Sequence, residues 1–231
     1  QIISMPPRPG AFAQYVRIPE RNVVAIPDSL PIEQAALAEP IAVAWHAVRL
    51  GAERLHQPFA ASRVAILGGG AIGLAAALVS RLFGAADILI GEPNPLRRHA
   101  IAATESFAVN DPGSAGEPAA DSVDLVIDAV GARASRAAAS AMVRQGGVIV
   151  HAGLLPGHEG LDIRKITLQE IILTGTYCYT PVDFAQTVAA LSDRRLGSLG
   201  WFEERPLSSG GAAFQAIDGG TTPAAKIVLR P

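Results

Sequence analysis

The sequence predicts a doubly wound α/β domain built on a parallel sheet. Three observations predict it. Apolar runs near 63–67, 87–91, 123–128, 147–151 and 170–175 alternate with helix-like segments near 71–83, 94–103, 133–143 and 182–193. The runs are apolar almost throughout, without the in/out alternation of a half-solvated sheet, as expected of strands covered on both faces. Glycine turns punctuate the strand-to-helix joints, and strands alternating with helices imply right-handed crossovers in one sheet.

The elements follow in order along the chain. Residues 1–27 read as irregular structure with short strands, from the partial alternation of Ala13, Tyr15, Val16 and Ile18 and the apolar run Val23–Ile26. Pro27-Asp28-Ser29 reads as a turn. Residues 31–50 read as helix, with Pro31 near the first position and Gly51 at the end, interrupted at Pro40 into two pieces. A weak strand is expected near Phe107–Val109, and Pro112–Ala120 is a polar, Gly/Pro-rich surface loop. After about residue 196 the pattern changes: Trp201–Arg205 reads as strand, Ala212–Ile217 as a short helix and Lys226–Leu229 as a final strand. These read as a return to the unit that residues 1–40 begin. No internal repeat is visible.

The chemistry concentrates in S-R-V-A-I-L-G-G-G-A-I-G (62–73). A strand enters Gly68-x-Gly70-x-x-Gly73 and a helix leaves it, with Ala71 and Ile72 opening that helix. Gly68 permits the tight turn, Gly70 lets a pyrophosphate approach the backbone, and Gly73 lets the helix pack close to the strand. The helix N-terminus adds unpaired N–H groups and a positive dipole end. The second strand ends at Glu92, 19 residues after Gly73, where a dinucleotide fold places the carboxylate for the adenosine ribose. That carboxylate also repels a 2′-phosphate, so NAD is expected over NADP. Arg97 and Arg98 nearby are the groups able to accommodate such a phosphate.

Composition bounds the partners. The chain has 231 residues, 49% hydrophobic and 17% charged, with a net charge of −2. That balance suits a globular chain with a substantial core and gives no reason to expect nucleic acid or an anionic membrane as partner. The apolar runs are too short or too broken to span a bilayer, and residues 1–10 lack a signal-peptide core. The single cysteine, Cys178, excludes an internal disulfide framework, fits a reducing cytoplasm, and reads as a buried small residue. Gln1 is not an initiator Met and the chain opens in mid-pattern, so a preceding segment is expected.

With these elements placed, the chain resembles the medium-chain dehydrogenase/reductase superfamily, and within it the zinc-dependent alcohol and polyol (sorbitol-type) branch. The resemblance runs through G-A-F-A-Q-Y-V-R-I-P (10–19), A-A-L-A-E-P-I-A-V-A-W-H-A-V (35–48), V-A-I-L-G-G-G-A-I-G (64–73), D-L-V-I-D-A-V-G (124–131), G-G-V-I-V-H-A-G-L (146–154) and A-K-I-V-L-R-P (225–231). It implies a Rossmann domain over 51–195 and, from 1–50 and 196–231, parts of a discontinuous, mainly-β, GroES-like catalytic domain. It implies hydride transfer between a secondary alcohol or polyol and NAD, with zinc supplied by the complete protein, and a homodimer or homotetramer with 171–177 as an edge.

The resemblance also implies residue roles. Glu39 falls at a position that ligates or neighbours the catalytic metal, and Val43, one turn on, packs on the nicotinamide. Arg97 lies over the adenine side. The backbone of Ala129, Val130 and Gly131 passes the cofactor ribose; Ala152, Gly153 and Leu154 hold the nicotinamide carboxamide, with Ile172 and Thr174 contributing. The family's Cys and Gly-His-Glu metal ligands lie upstream of the nucleotide domain, before Gln1 in this numbering. Gly157-His158-Glu159-Gly160 is in the wrong place for that motif and reads as a surface loop. His46 reads as packing, and His56 and His99 belong to no constellation. The alternative to an enzyme is a non-catalytic dinucleotide-binding fragment or sensor; a zinc-free quinone reductase is disfavoured by Glu39-Pro40.

Overall fold

The computed structural model describes residues 3–231. Six parallel strands form the main sheet: β1 (Arg63–Leu67), β2 (Asp87–Gly91), β3 (Ala108–Asn110), β4 (Val123–Asp128), β5 (Val143–His151) and β6 (Ile172–Gly175). Their spatial order is β3-β2-β1-β4-β5-β6, the doubly wound order with its switch point between β1 and β4. The register pairs Leu67 with Gly91 on one side and Asp128 on the other, so the carboxyl ends of the three central strands finish level.

The strand side chains alternate between two apolar layers, which is why the runs show no polar phase. Val64, Ile66, Leu125, Ile127, Val148 and Val150 enter one core with helices α2 (Ala38–Ala52), α3 (Ala71–Leu82) and α7 (Pro181–Ser192). Ala65, Leu67, Val126 and Ile149 enter the other, closed by α5 (Arg133–Met142) and α6 (Ile163–Leu168). Helix α4 (Pro95–Glu105) adds Ile101 to the first core. Gly51 brings α2 close to the sheet: a Cβ there would lie 2.7 Å from a Leu125 methyl, which would have to shift.

Several boundaries differ from expectation. The 31–50 helix does divide, into α1 (Ile32–Ala35) and α2, but the division falls at residues 36–37 rather than at Pro40. Pro40 sits in the first turn of α2, where its missing N–H would have had no intrahelical acceptor. Strand β5 starts at Val143, earlier than expected, and the short α6 was absent from the sequence pattern because one turn carries too little periodicity. The strands expected before residue 27 are absent among the described residues, where only a 3₁₀ turn, Glu20–Asn22, is regular. Most side chains there are exposed, so alternation had no buried face to reflect.

The C-terminal part forms a separate parallel pair, β7 (Phe202–Pro206) with β8 (Lys226–Arg230), joined through α8 (Gly210–Asp218). Cys178 is half-buried rather than buried, in a left-handed backbone conformation (φ 55°) after β6. Among the described residues no helix is long and apolar enough to cross a membrane.

Candidate dinucleotide site

The Gly-rich turn between β1 and α3 is shaped by what a side chain would hit. Gly68 has φ +94°, and a Cβ there would meet Val130 at 2.6 Å. A Cβ on Gly73 would lie 1.7 Å from the Gly68 carbonyl oxygen, so only glycine lets α3 start this close to the turn. Gly70, the N-cap of α3, has nothing within 4 Å of the same probe position, and the space in front of the helix end is open. Ala71 and Ile72 follow in its first turn. Open space, free first-turn N–H groups and the positive dipole end suit an anion such as a pyrophosphate.

The middle glycine, Gly69, has a role that the fingerprint spacing does not assign. Its N–H donates to Glu92 Oε2 at 2.8 Å, and a Cβ would strike Ile101 at 2.6 Å. Glu92 is 2% exposed. Its Oε1 accepts from the Asn94 N–H at 2.8 Å, and Oε2 accepts also from Arg97 Nη1 at 3.2 Å. Three donors occupy a carboxylate with about four lone-pair directions, leaving roughly one for a ribose hydroxyl. Arg97 pairs with Glu92 through Nη1, its Nε being buried without a partner, and Arg98 turns to the Glu92 and Pro93 carbonyls and to Asp111. Asn94 caps α4, its Oδ1 accepting from the Leu96 and Arg97 N–H groups.

At the other half of the sheet edge, the ends of β4 and β5 cross at backbone contact. A Cβ on Gly131 (φ +73°) would lie 2.4 Å from the Gly153 carbonyl, and one on Gly153 would lie 2.0 Å from the Val130 carbonyl carbon. Asp128, fully buried, holds this crossing: Oδ1 accepts from the Val130 N–H at 3.0 Å and the Gly131 N–H at 2.9 Å, and Oδ2 from the Ser135 hydroxyl at 3.1 Å. His151 Nε2 lies 3.6 Å from the same Oδ2. The Asp128 main-chain carbonyl accepts from the Ala152 and Gly153 N–H groups, both at 2.9 Å. Ala129 is tied to Leu67 by its own N–H at 3.0 Å. Leu154 is 77% exposed and points its bulk to solvent. Asp128 and Gly69 were missed as site-forming residues, although an acid closing an apolar strand and a triple glycine are both visible signals.

The remaining sequence-derived residues lie around this edge. Ile172 packs on the first core from β6, and Thr174 is half-buried two residues on. Glu39 is solvent-reachable in the first turn of α2, with half-buried Val43 one turn along the same face. Crowding by protein nonetheless raises the Glu39 pKa, while the Lys226 ammonium pulls it down. Burial, then Glu39 and Cys178, raise the Tyr179 phenol; its ring stacks on Phe184 at 5.4 Å. Among the described residues no group of three or more His, Cys, Asp or Glu side chains converges to hold a metal. A catalytic zinc needs about three protein ligands, so the Glu39 surroundings do not by themselves make such a centre. His158 is exposed on its loop, away from any acid–imidazole cluster.

His46 Nδ1 instead contacts Asp183 Oδ2 at 2.8 Å, linking α2 to α7, as expected of a packing histidine. Burial alone would raise the Asp183 carboxyl. Bonds from Arg49, from the Thr180 hydroxyl and N–H, and from His46 outweigh it and lower the pKa to about 2.

The comparisons with known proteins agree with this architecture. The profile of the family described as zinc-binding dehydrogenase matches residues 71–193. The chain belongs to that family. It is 34% identical over 187 residues to the sorbitol dehydrogenase of Bacillus subtilis (strain 168), covering 78% of this chain and 52% of that protein. It is 31% identical over 200 residues to a probable diacetyl reductase of Saccharomyces cerevisiae, covering 81% of this chain and 46% of that protein. The chain thus spans about half the length of these relatives. The solved L-idonate 5-dehydrogenase of Escherichia coli K-12 superposes with a TM-score of 0.81 at 25% identity, covering 95% of this chain and 63% of that one. A protein of Sinorhizobium meliloti 1021 described as a zinc-binding dehydrogenase and bound to NADP gives 0.80 at 26% identity, over 97% of this chain and 67% of that one.

Proposed function

We propose that this chain supplies the cofactor-binding part of an oxidoreductase that moves a hydride between a secondary alcohol or polyol and NAD. The observation that supports it most is the open, anion-ready end of α3 beside a buried acid, Glu92, that already neutralises Arg97. The pyrophosphate would lie before Gly70, Ala71 and Ile72. The adenosine ribose would lie toward Glu92, with Arg97 beneath it. The nicotinamide half would lie along Ala129–Gly131 and Ala152–Leu154, with Ile172 and Thr174 beside it and Val43 against the ring. Residues 51–195 are read as the nucleotide-binding domain, and 1–50 with 196–231 as contributions to a catalytic domain, of which α2 is the part docked on the sheet.

The preference for NAD rests on Glu92 and stands against the NADP seen in one relative. Zinc belongs to the reaction only with ligands beyond those described. The chain's own contribution is to bind and orient the dinucleotide, and Glu39 would flank the reacting alcohol. A cytoplasmic homodimer or homotetramer using the β6 edge completes the reading. Its test is oxidation of a panel of secondary alcohols and polyols followed by formation of reduced nicotinamide. NAD-dependent turnover is expected from the protein that carries the whole catalytic domain. Tight NADH binding without turnover of any alcohol would favour the non-catalytic binder instead.

A further inference from the structure

Arg136 is out of place by every electrostatic rule. It is 4% exposed, with no ion-pair partner among the described residues, and it stands in the first turn of α5, where the helix dipole disfavours a cation. Its guanidinium is held by two backbone carbonyls. Nη1 donates to the Gly131 oxygen and Nε to the Glu159 oxygen, each at 2.5 Å. Nη2 is buried with no partner, and a Cβ on Gly157 would lie 3.4 Å from it. The loop lies flat on α5 because Gly160 has no side chain: a Cβ there would meet the Arg133 carbonyl oxygen at 2.2 Å. The Gly-His-Glu-Gly segment thus serves as a backbone acceptor for Arg136.

We propose that Arg136 is a positioning residue for the nicotinamide half of the site, acting through the two carbonyls and touching no ligand itself. The inference rests on the dinucleotide reading above. Gly131 is one side of the crossing with Gly153, and Glu159 belongs to the loop that leaves Gly153. One guanidinium therefore ties both strand-end loops to α5. A fork of fixed donors can bridge two carbonyls in this way; the single ammonium of lysine reaches both less well. The adenine half, around Gly70 and Glu92, has no bond to Arg136 and does not depend on it.

The test compares Arg136→Met, Arg136→Lys and Gly160→Ala with the unmodified protein. Gly160→Ala keeps the Arg136 guanidinium but pushes the loop off α5, its methyl meeting the Arg133 carbonyl at 2.2 Å and the Arg136 Cβ at 3.1 Å. Three quantities are read: the dissociation constants of NADH and of AMP, and amide hydrogen exchange over residues 152–160. Arg136→Met and Gly160→Ala should each weaken NADH about tenfold, AMP less than about twofold, and speed exchange in the loop, with Arg136→Lys intermediate. Unchanged NADH affinity and loop exchange would overturn the inference. So would equal losses of NADH and AMP, which mark a general structural role. If the unmodified protein binds neither ligand, the dinucleotide reading falls and the inference with it; NADH binding with unmoved variants sinks the inference alone.

Discussion

The sheet with its helices from α2 to α7, and the outlying segments 3–27 and β7–α8–β8, use their apolar side chains in opposite ways. Between Arg63 and Ser192 the strands bury Ile66, Leu125, Ile127 and Ile149 completely, and helices close both faces. Outside it, Tyr15 is 92% exposed, and Phe12, Val23 and Phe214 are 60% or more exposed; Phe12 finds only an edge contact with Phe214 at 5.7 Å. The two-stranded β7–β8 sheet has no buried residue: most positions are half-buried, and Glu204, Pro206 and Arg230 are exposed. A parallel sheet with helices on both faces completes its own core, whereas a two-stranded pair needs a further layer. The difference teaches that the sheet, with α2 among the helices that close it, is a finished core, while residues 3–27 and α8 present apolar surface.

The comparison breaks hardest at Gly73. Gly73→Ala places a methyl 1.7 Å from the Gly68 carbonyl oxygen, in backbone rather than in a flexible side chain. It should cost more than about 4 kcal/mol and abolish cooperative unfolding of the core, read by urea denaturation.

The next effect is electrostatic and lies at the α2–α7 joint. Asp183 titrates near 2 in the folded protein against 3.8 ordinarily, so its stabilising contribution is complete above about pH 4 and is lost as pH falls toward 2. Asp183→Asn should lose on the order of 2 kcal/mol at pH 7 and show a shallower fall in stability between about pH 4 and 2. An unchanged acid limb in the variant would show that the Arg49, Thr180 and His46 bonds do not hold in solution.

Gly70→Ala sharpens the contrast with Gly73, because the two glycines sit one turn apart in the same motif. Nothing lies within 4 Å of its added methyl and the backbone there is ordinary extended chain, so stability should move by less than about 1 kcal/mol. NADH affinity should drop at least about tenfold, since the methyl takes the space assigned to pyrophosphate. Tyr15→Ser is the smallest expected change, within about 0.5 kcal/mol in a thermal melt. A larger loss would mean that the flank is packed in solution and that the contrast between regions is wrong.

How much was legible follows the same division. The strand runs and the Gly68-x-Gly70-x-x-Gly73 spacing carry their own periodicity and turn chemistry, so the parallel sheet and the glycine turn into α3 follow from them, whereas the spatial order of the strands does not. Pro40 misled about where the 31–50 helix divides, because a proline in the first turn of a helix looks in sequence like one in its interior. The expected strands before residue 27 had no burial to impose an alternation. Gly69, Asp128 and Arg136 act through contacts between segments far apart in sequence. Local pattern is blind to such contacts, although the triple glycine and the acid after Ile127 were in plain view. The Gly157–Gly160 loop shows the converse: a motif-like string whose role is to lie flat on α5.

Calorimetric titration of the protein with NADH and with NADPH, under one buffer and salt condition, tests the central claim most directly. A single site for NADH is expected, with affinity for NADPH at least about tenfold weaker, because the Glu92 carboxylate stands where the 2′-phosphate would lie and pairs with Arg97. Equal affinity, or tighter binding of NADPH, would contradict it.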